Sequence, residues 1–132
     1  MPYLIGVVLA LGVALFARIV GFDRDRAFYP TVLIIIASVY GLFAVVGGSM
    51  SALVVECSCG LIFVVLAVVG FKTCAWVVVV GIVGHGLFDF IHVKFITDPG
   101  VPSYWPAFCG AYDVTAGLVL AWLLTRKTAV QG

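Results

Sequence analysis

Five apolar runs, each close to twenty residues, occupy most of this chain, and only five acidic or histidine side chains fall inside them: Glu56, His85, Asp89, His92 and Asp113. An apolar run of that length matches the roughly 20 residues a helix needs to cross about 30 Å of hydrocarbon. Inside hydrocarbon every backbone polar group must be satisfied within the segment, so such runs fold as helices. An ionisable side chain placed there is expensive, and it points to a functional site.

Composition agrees with a membrane chain. Of 132 residues, 64% are hydrophobic and 10% charged. A soluble domain of this size needs far more polar surface to cover its core. The formal net charge of +1 gives no electrostatic footprint for nucleic acid. No polar stretch is long enough for a separate soluble domain, so residues 1–132 read as a single transmembrane domain.

The expected spans are residues 3–20, 30–47, 52–71, 73–92 and 106–125. Pro30 and Pro106 open two of them, where a missing amide donor costs nothing. The break at Lys72 leaves almost no loop, but a 40-residue helix would be too long for any bilayer. Six basic residues, Arg18, Arg24, Arg26, Lys72, Arg126 and Lys127, fall on one side of this arrangement, and Lys94 alone falls on the other. The positive-inside bias predicts an all-α bundle of five transmembrane helices with the N-terminus outside and the C-terminus cytoplasmic. The expected location is a bacterial inner (plasma) membrane. Arg18 follows the first apolar run and no basic residue precedes it, which suits an N-out anchor better than a cleaved signal.

On this topology the five ionisable residues share one layer, the outer third of the bundle. His85, Asp89 and His92 are spaced i, i+4, i+7 and lie on one helical stripe. The inner half offers mainly Ser38, Tyr40, Thr73 and Thr125. Small residues, including Gly81, Gly84 and Gly86 on the fourth span, suit close helix approach, and Gly6, Ala10 and Ala14 form a small-residue ladder on the first. The 93–105 segment, with its Asp98-Pro99-Gly100 turn, is placed to cap the layer from outside.

Three carboxylates in one layer with no intramembrane Lys or Arg must bind a cation, be protonated or face water. His and carboxylate together suit a divalent metal: zinc, iron, manganese or copper. The expected ligands are Glu56, His85, Asp89 and Asp113, with His92 a candidate general base at the entrance. H-x-x-x-D-x-x-H is not a diagnostic motif, and residues i and i+7 lie about 10 Å apart along a helix, too far to share one ion. C-S-C at residues 57–59 is not a redox pair, whereas Cys59 and Cys109 remain candidates for a disulfide. The leading expectation is a metal-binding membrane protein, with a metal-dependent enzyme acting on an apolar or lipid substrate as its extension. The alternatives are a proton- or cation-coupled transporter working as an oligomer, and a structural or accessory subunit. The expected partners are the lipid bilayer and a homo-oligomer or larger membrane complex.

The orientation has a direct check. A reporter fused after Gly132 is expected to give a cytoplasmic signal, and a periplasmic signal there would reverse the topology.

Overall fold

The computed structural model describes residues 1–131, with side chains through residue 126. The side chain of Lys127, counted above with the basic residues, and the whole of Gly132 lie outside the described residues. The chain forms five helices: α1 (Pro2–Val20), α2 (Phe28–Val46), α3 (Met50–Lys72), α4 (Ala75–Phe95) and α5 (Trp105–Gln131). A single 3-10 turn, Phe22–Arg24, lies between α1 and α2, and no strand occurs among the described residues. All five helices are long and apolar enough to cross a membrane.

Local chemistry sets the helix ends. Pro2 begins α1, and Gly21 ends it in the left-handed conformation at φ 97°, its amide donating to the Ala17 carbonyl. The Ser49 hydroxyl caps α3 by accepting from the Ala52 amide at 3.1 Å. Between α3 and α4 only Thr73 and Cys74 leave the helix, and the Thr73 hydroxyl donates back to the Val69 carbonyl at 2.6 Å. Lys72 therefore does mark a true reversal. After α4 the chain extends at Ile96, turns through Asp98–Gly100, and re-enters a helix at Trp105.

Successive helices run in opposite directions. α4 and α5 form the central pair; α1 packs on α5, α3 packs on α4, and α2 packs on α3. The core at one end joins Tyr29, Leu33 and Ile36 of α2 to Val78 and Ile82 of α4 and Ala116 and Leu120 of α5. The outward faces are also apolar: Leu4, Val8, Leu11, Leu15 and Ile19 of α1 are all exposed. Only 17% of the most apolar part of α1 is buried inside the protein. A helix that is hydrophobic all round yet mostly uncovered requires lipid as its solvent.

Small residues decide how closely the backbones meet. Gly6, Ala10 and Ala17 are buried, with Gly6 directly against Phe108, Ala111 and Tyr112 of α5. The ladder on the first span is thus an internal seam along part of its length. A β-carbon on Gly86 would stand 3.1 Å from both the Gly110 carbonyl oxygen and Asp113 Cβ, so α4 and α5 touch backbone to backbone at that level. Gly84 does not act the same way, since a β-carbon there would meet nothing within 4 Å. The two are near neighbours in sequence, and helix rotation separates them.

This contrast is testable. Gly86→Leu is expected to cost about 1–3 kcal/mol by overpacking the α4–α5 contact. Gly84→Leu should leave the melting temperature in detergent within a degree or two of wild type. Equal sensitivity at both positions would contradict this packing.

Candidate functional site

α4 supplies the spine of the polar layer. His85, Asp89 and His92 are 1%, 0% and 2% exposed, on the stripe their spacing implies. The close approach at Gly86 brings α5 in with Asp113, also fully buried. α3 contributes Glu56, at 2% exposure. A β-carbon on Gly60, one turn further along α3, would stand 2.8 Å from the Ala37 carbonyl oxygen, so α2 lies tight against this face and carries Tyr40 into the layer.

The five ionisable groups divide into two sets. In the first, His85 Nδ1 stands 2.7 Å from Asp113 Oδ2 and 3.6 Å from Asp89 Oδ2. With Asp113 ionised, the imidazole N–H donates to it; the longer distance is electrostatic contact rather than a hydrogen bond. The Cys109 thiol donates to both Asp113 oxygens, at 3.7 and 3.8 Å. In the second set, His92 Nε2 lies 2.5 Å from Glu56 Oε1. Glu56 therefore pairs with His92, one helical turn from Asp89, while His85, Asp89 and Asp113 converge. One ligand atom from each of these three falls within 4.8 Å of the others. That group could hold a metal ion.

Aromatic rings wall the layer. Tyr40 stacks on His92 with ring centroids 3.9 Å apart and planes 8° from parallel, and its ring lies 6.2 Å from His85. Phe88 contacts both histidines, at 5.8 and 5.4 Å, and Phe63 meets His85 edge-on at 4.7 Å. These rings exclude water and keep the dielectric low, which strengthens every charge interaction inside.

The hydrogen-bond inventory is uneven. Among the described residues neither Asp89 oxygen receives a hydrogen bond, nor do Glu56 Oε2 and the Tyr40 hydroxyl find a partner. Asp89 nevertheless has the Tyr40 hydroxyl and the Cys109 thiol as near neighbours. No Lys or Arg joins the layer: Lys94 is exposed and makes no ion pair among the described residues. Among the described residues only imidazoles offset the three fully buried carboxylates.

Several features were not evident from the sequence. Tyr40, expected in the inner half, lies about 18 Å along α2 from Phe28, level with the histidines. Even from Pro30, a rise of about 1.5 Å per residue puts Tyr40 about 15 Å along the span, past its midpoint. Asp98 is a fourth carboxylate at the layer's edge: it neighbours Glu56, and its free oxygen is buried. The 96–104 connection seats it there by backing Gly100 onto Phe43 and Gly47 at the end of α2, with Trp105 edge-on to Phe43 at 4.9 Å. Helix extension also moves His85 deeper, to about 15 Å from the Phe95 end of α4. All four cysteines are free thiols, so Cys59 and Cys109 are not bridged.

The Glu56–His92 pair yields a stability prediction. Glu56→Leu and His92→Leu are each expected to cost about 3–5 kcal/mol, because each strands the other's buried ionisable group without its partner. Replacing both partners, as Glu56→Leu with His92→Leu, should recover most of that loss. Thermal unfolding in detergent of the two single variants and the double variant measures the coupling. Strictly additive losses would mean the pair is not an interacting unit.

Comparison with protein-family models, curated proteins and solved structures finds no match to this chain.

Proposed function

We propose that this is an integral membrane protein that binds one divalent transition metal at His85, Asp89 and Asp113. One observation carries the reading: three buried ligand atoms from two helices gather within 4.8 Å, in a layer that holds no Lys or Arg.

Charge balance supports it. Within the fully buried set, which leaves out the half-buried Asp98 at its edge, three carboxylates and two neutral imidazoles carry a charge of minus three. Without metal, neutrality requires three added protons. With a divalent ion, His85 ligates as the neutral base, Asp89 and Asp113 cancel the ion, and a single proton on the His92–Glu56 pair completes the balance. Asp89, whose oxygens meet no donor at hydrogen-bond geometry among the described residues although the Tyr40 hydroxyl and the Cys109 thiol lie close by, would take the ion as its partner.

The donor geometry is close to what an ion needs. Donors about 2.1 Å from a tetrahedral centre lie about 3.4 Å apart, so the His85–Asp113 contact at 2.7 Å would open by about 0.7 Å while donors spaced wider than this, up to 4.8 Å, draw in. One nitrogen and two oxygens suit zinc, iron or manganese better than copper(I), which favours thiolate. The Cys109 thiol is engaged with Asp113. Three protein donors leave a fourth position open. Near-complete burial of all three residues supports retention of an ion more than turnover of a lipid-sized substrate at the same point. With five of the described basic residues, Arg18, Arg24, Arg26, Lys72 and Arg126, at the other end of the bundle, the positive-inside rule favours the outer half of the membrane for the metal.

The test is metal content and its pH dependence. Purified protein is expected to hold one zinc, iron or manganese per chain. His85→Ala and Asp89→Asn should each lose it, with a lower melting temperature, because the ion stabilises only the folded state. Binding displaces two protons by the count above, so affinity should fall as pH falls, approaching 100-fold per pH unit at the acid limit. A metal-free wild type that ignores chelators and tolerates Asp89→Asn would replace the metal with a protonated cluster.

A further inference from the structure

The opposite end of the bundle holds a cavity of about 700 Å³, beneath the connection between α1 and α2 and bounded by the α3–α4 turn and the last turns of α5. It lies in the size range of small-molecule sites. Its mouth is charged and its floor is apolar. Arg18, Arg24, Arg26 and Arg126 line it against Asp23 and Asp25, a formal surplus of two positive charges. Val78 and Leu120, which form its floor, belong to the buried core.

Among the described residues most of the arginines have no carboxylate partner; Arg18 alone has one, Asp23 at 3.5 Å. Among the described residues Arg24, Arg26 and Arg126 have none within 4.0 Å. Two of the three are nonetheless held in place. The Arg26 guanidinium donates to the Phe71 carbonyl at 2.7 Å and lies over the Phe71 ring, and Arg126 lies over the Trp122 ring at 5.0 Å. A fixed guanidinium with free N–H groups matches a phosphate.

A second, independent observation concerns polar groups lining the cavity wall. The Asp23 side chain is 3% exposed and Tyr29 is 7% exposed. Among the described residues, Asp23 Oδ1 and the Tyr29 hydroxyl are both buried without a hydrogen-bond partner. An Asp oxygen in that state calls for a donor, and a tyrosine hydroxyl can donate to an ester or phosphate oxygen. A phosphate bearing a hydroxylated substituent supplies both. The apolar floor at Val78 and Leu120 calls for hydrocarbon, and basic pockets between membrane helices take lipid headgroups.

We propose that this cavity binds one anionic phospholipid with a polyol headgroup, its phosphate on Arg24, Arg26 and Arg126, its hydroxyls on Asp23 and its first acyl carbons against Val78 and Leu120. The site is remote from the metal layer and does not depend on it.

Native mass spectrometry and ligand titration of the full-length protein in neutral detergent test the assignment. Short-chain phosphatidylglycerol is expected to bind at one per chain, at least tenfold tighter than phosphatidylcholine of the same chain length and at least tenfold tighter than free glycerol phosphate. Its affinity should fall as salt rises. Arg24→Gln with Arg26→Gln should weaken phosphatidylglycerol at least tenfold, and Lys94→Gln at the other end should change nothing. Equal binding of phosphatidylglycerol and phosphatidylcholine by the wild type would overturn the proposal, even if the arginine variant failed to fold. Glycerol phosphate binding as tightly as the lipid would overturn it in favour of a soluble phosphate ligand.

Discussion

The need to keep three carboxylates uncharged in sum, inside a bundle that offers them no ammonium or guanidinium, governs this molecule. A single carboxylate near the bilayer centre costs about 2.5–3.5 kcal/mol on insertion scales. Three together approach the whole stability of a small protein, about 5–15 kcal/mol. The chain answers by giving each histidine a carboxylate, His85 to Asp113 and His92 to Glu56. One carboxylate is left over. Asp89 sits 3.6 Å from an imidazole that already serves Asp113, and this residual charge is the physical origin of the metal proposal.

Helix packing serves the same requirement. Imidazole and carboxylate meet across α4 and α5 because Gly86 lets the two backbones touch, and α2 comes near enough for Tyr40 to stack on His92 because Gly60 lies under the Ala37 carbonyl. Elsewhere the bundle is loosely covered and leaves its apolar faces to lipid. The two ends then differ in kind. One is a dry, ring-walled layer of paired acids and imidazoles; the other is an open cavity with arginines at its mouth.

Hydropathy made the five helices legible, along with the turn at Lys72, because lipid imposes one length and one chemistry on every span. The stripe of His85, Asp89 and His92 was equally legible, since spacing on one helix needs no tertiary information. What was not legible was partnership. Whether Glu56 joins Asp89 or His92 depends on the rotation of α3 and its height against α4, and a shift of about 5 Å, one turn, changes the answer. Hydropathy carries no such register. Tyr40 and Asp98 escaped for related reasons: one reads as an ordinary aromatic in an apolar run, and the other belongs to a connection whose docking on Gly47 only the folded chain reveals.

X-ray absorption at the metal edge of zinc-loaded protein tests the central claim most directly. The account predicts a first shell of nitrogen and oxygen alone, at about 2.0–2.2 Å, with the outer scattering of a single imidazole. A sulfur shell near about 2.3 Å, scattering from two imidazoles, or a fully hydrated ion removed by washing would contradict it.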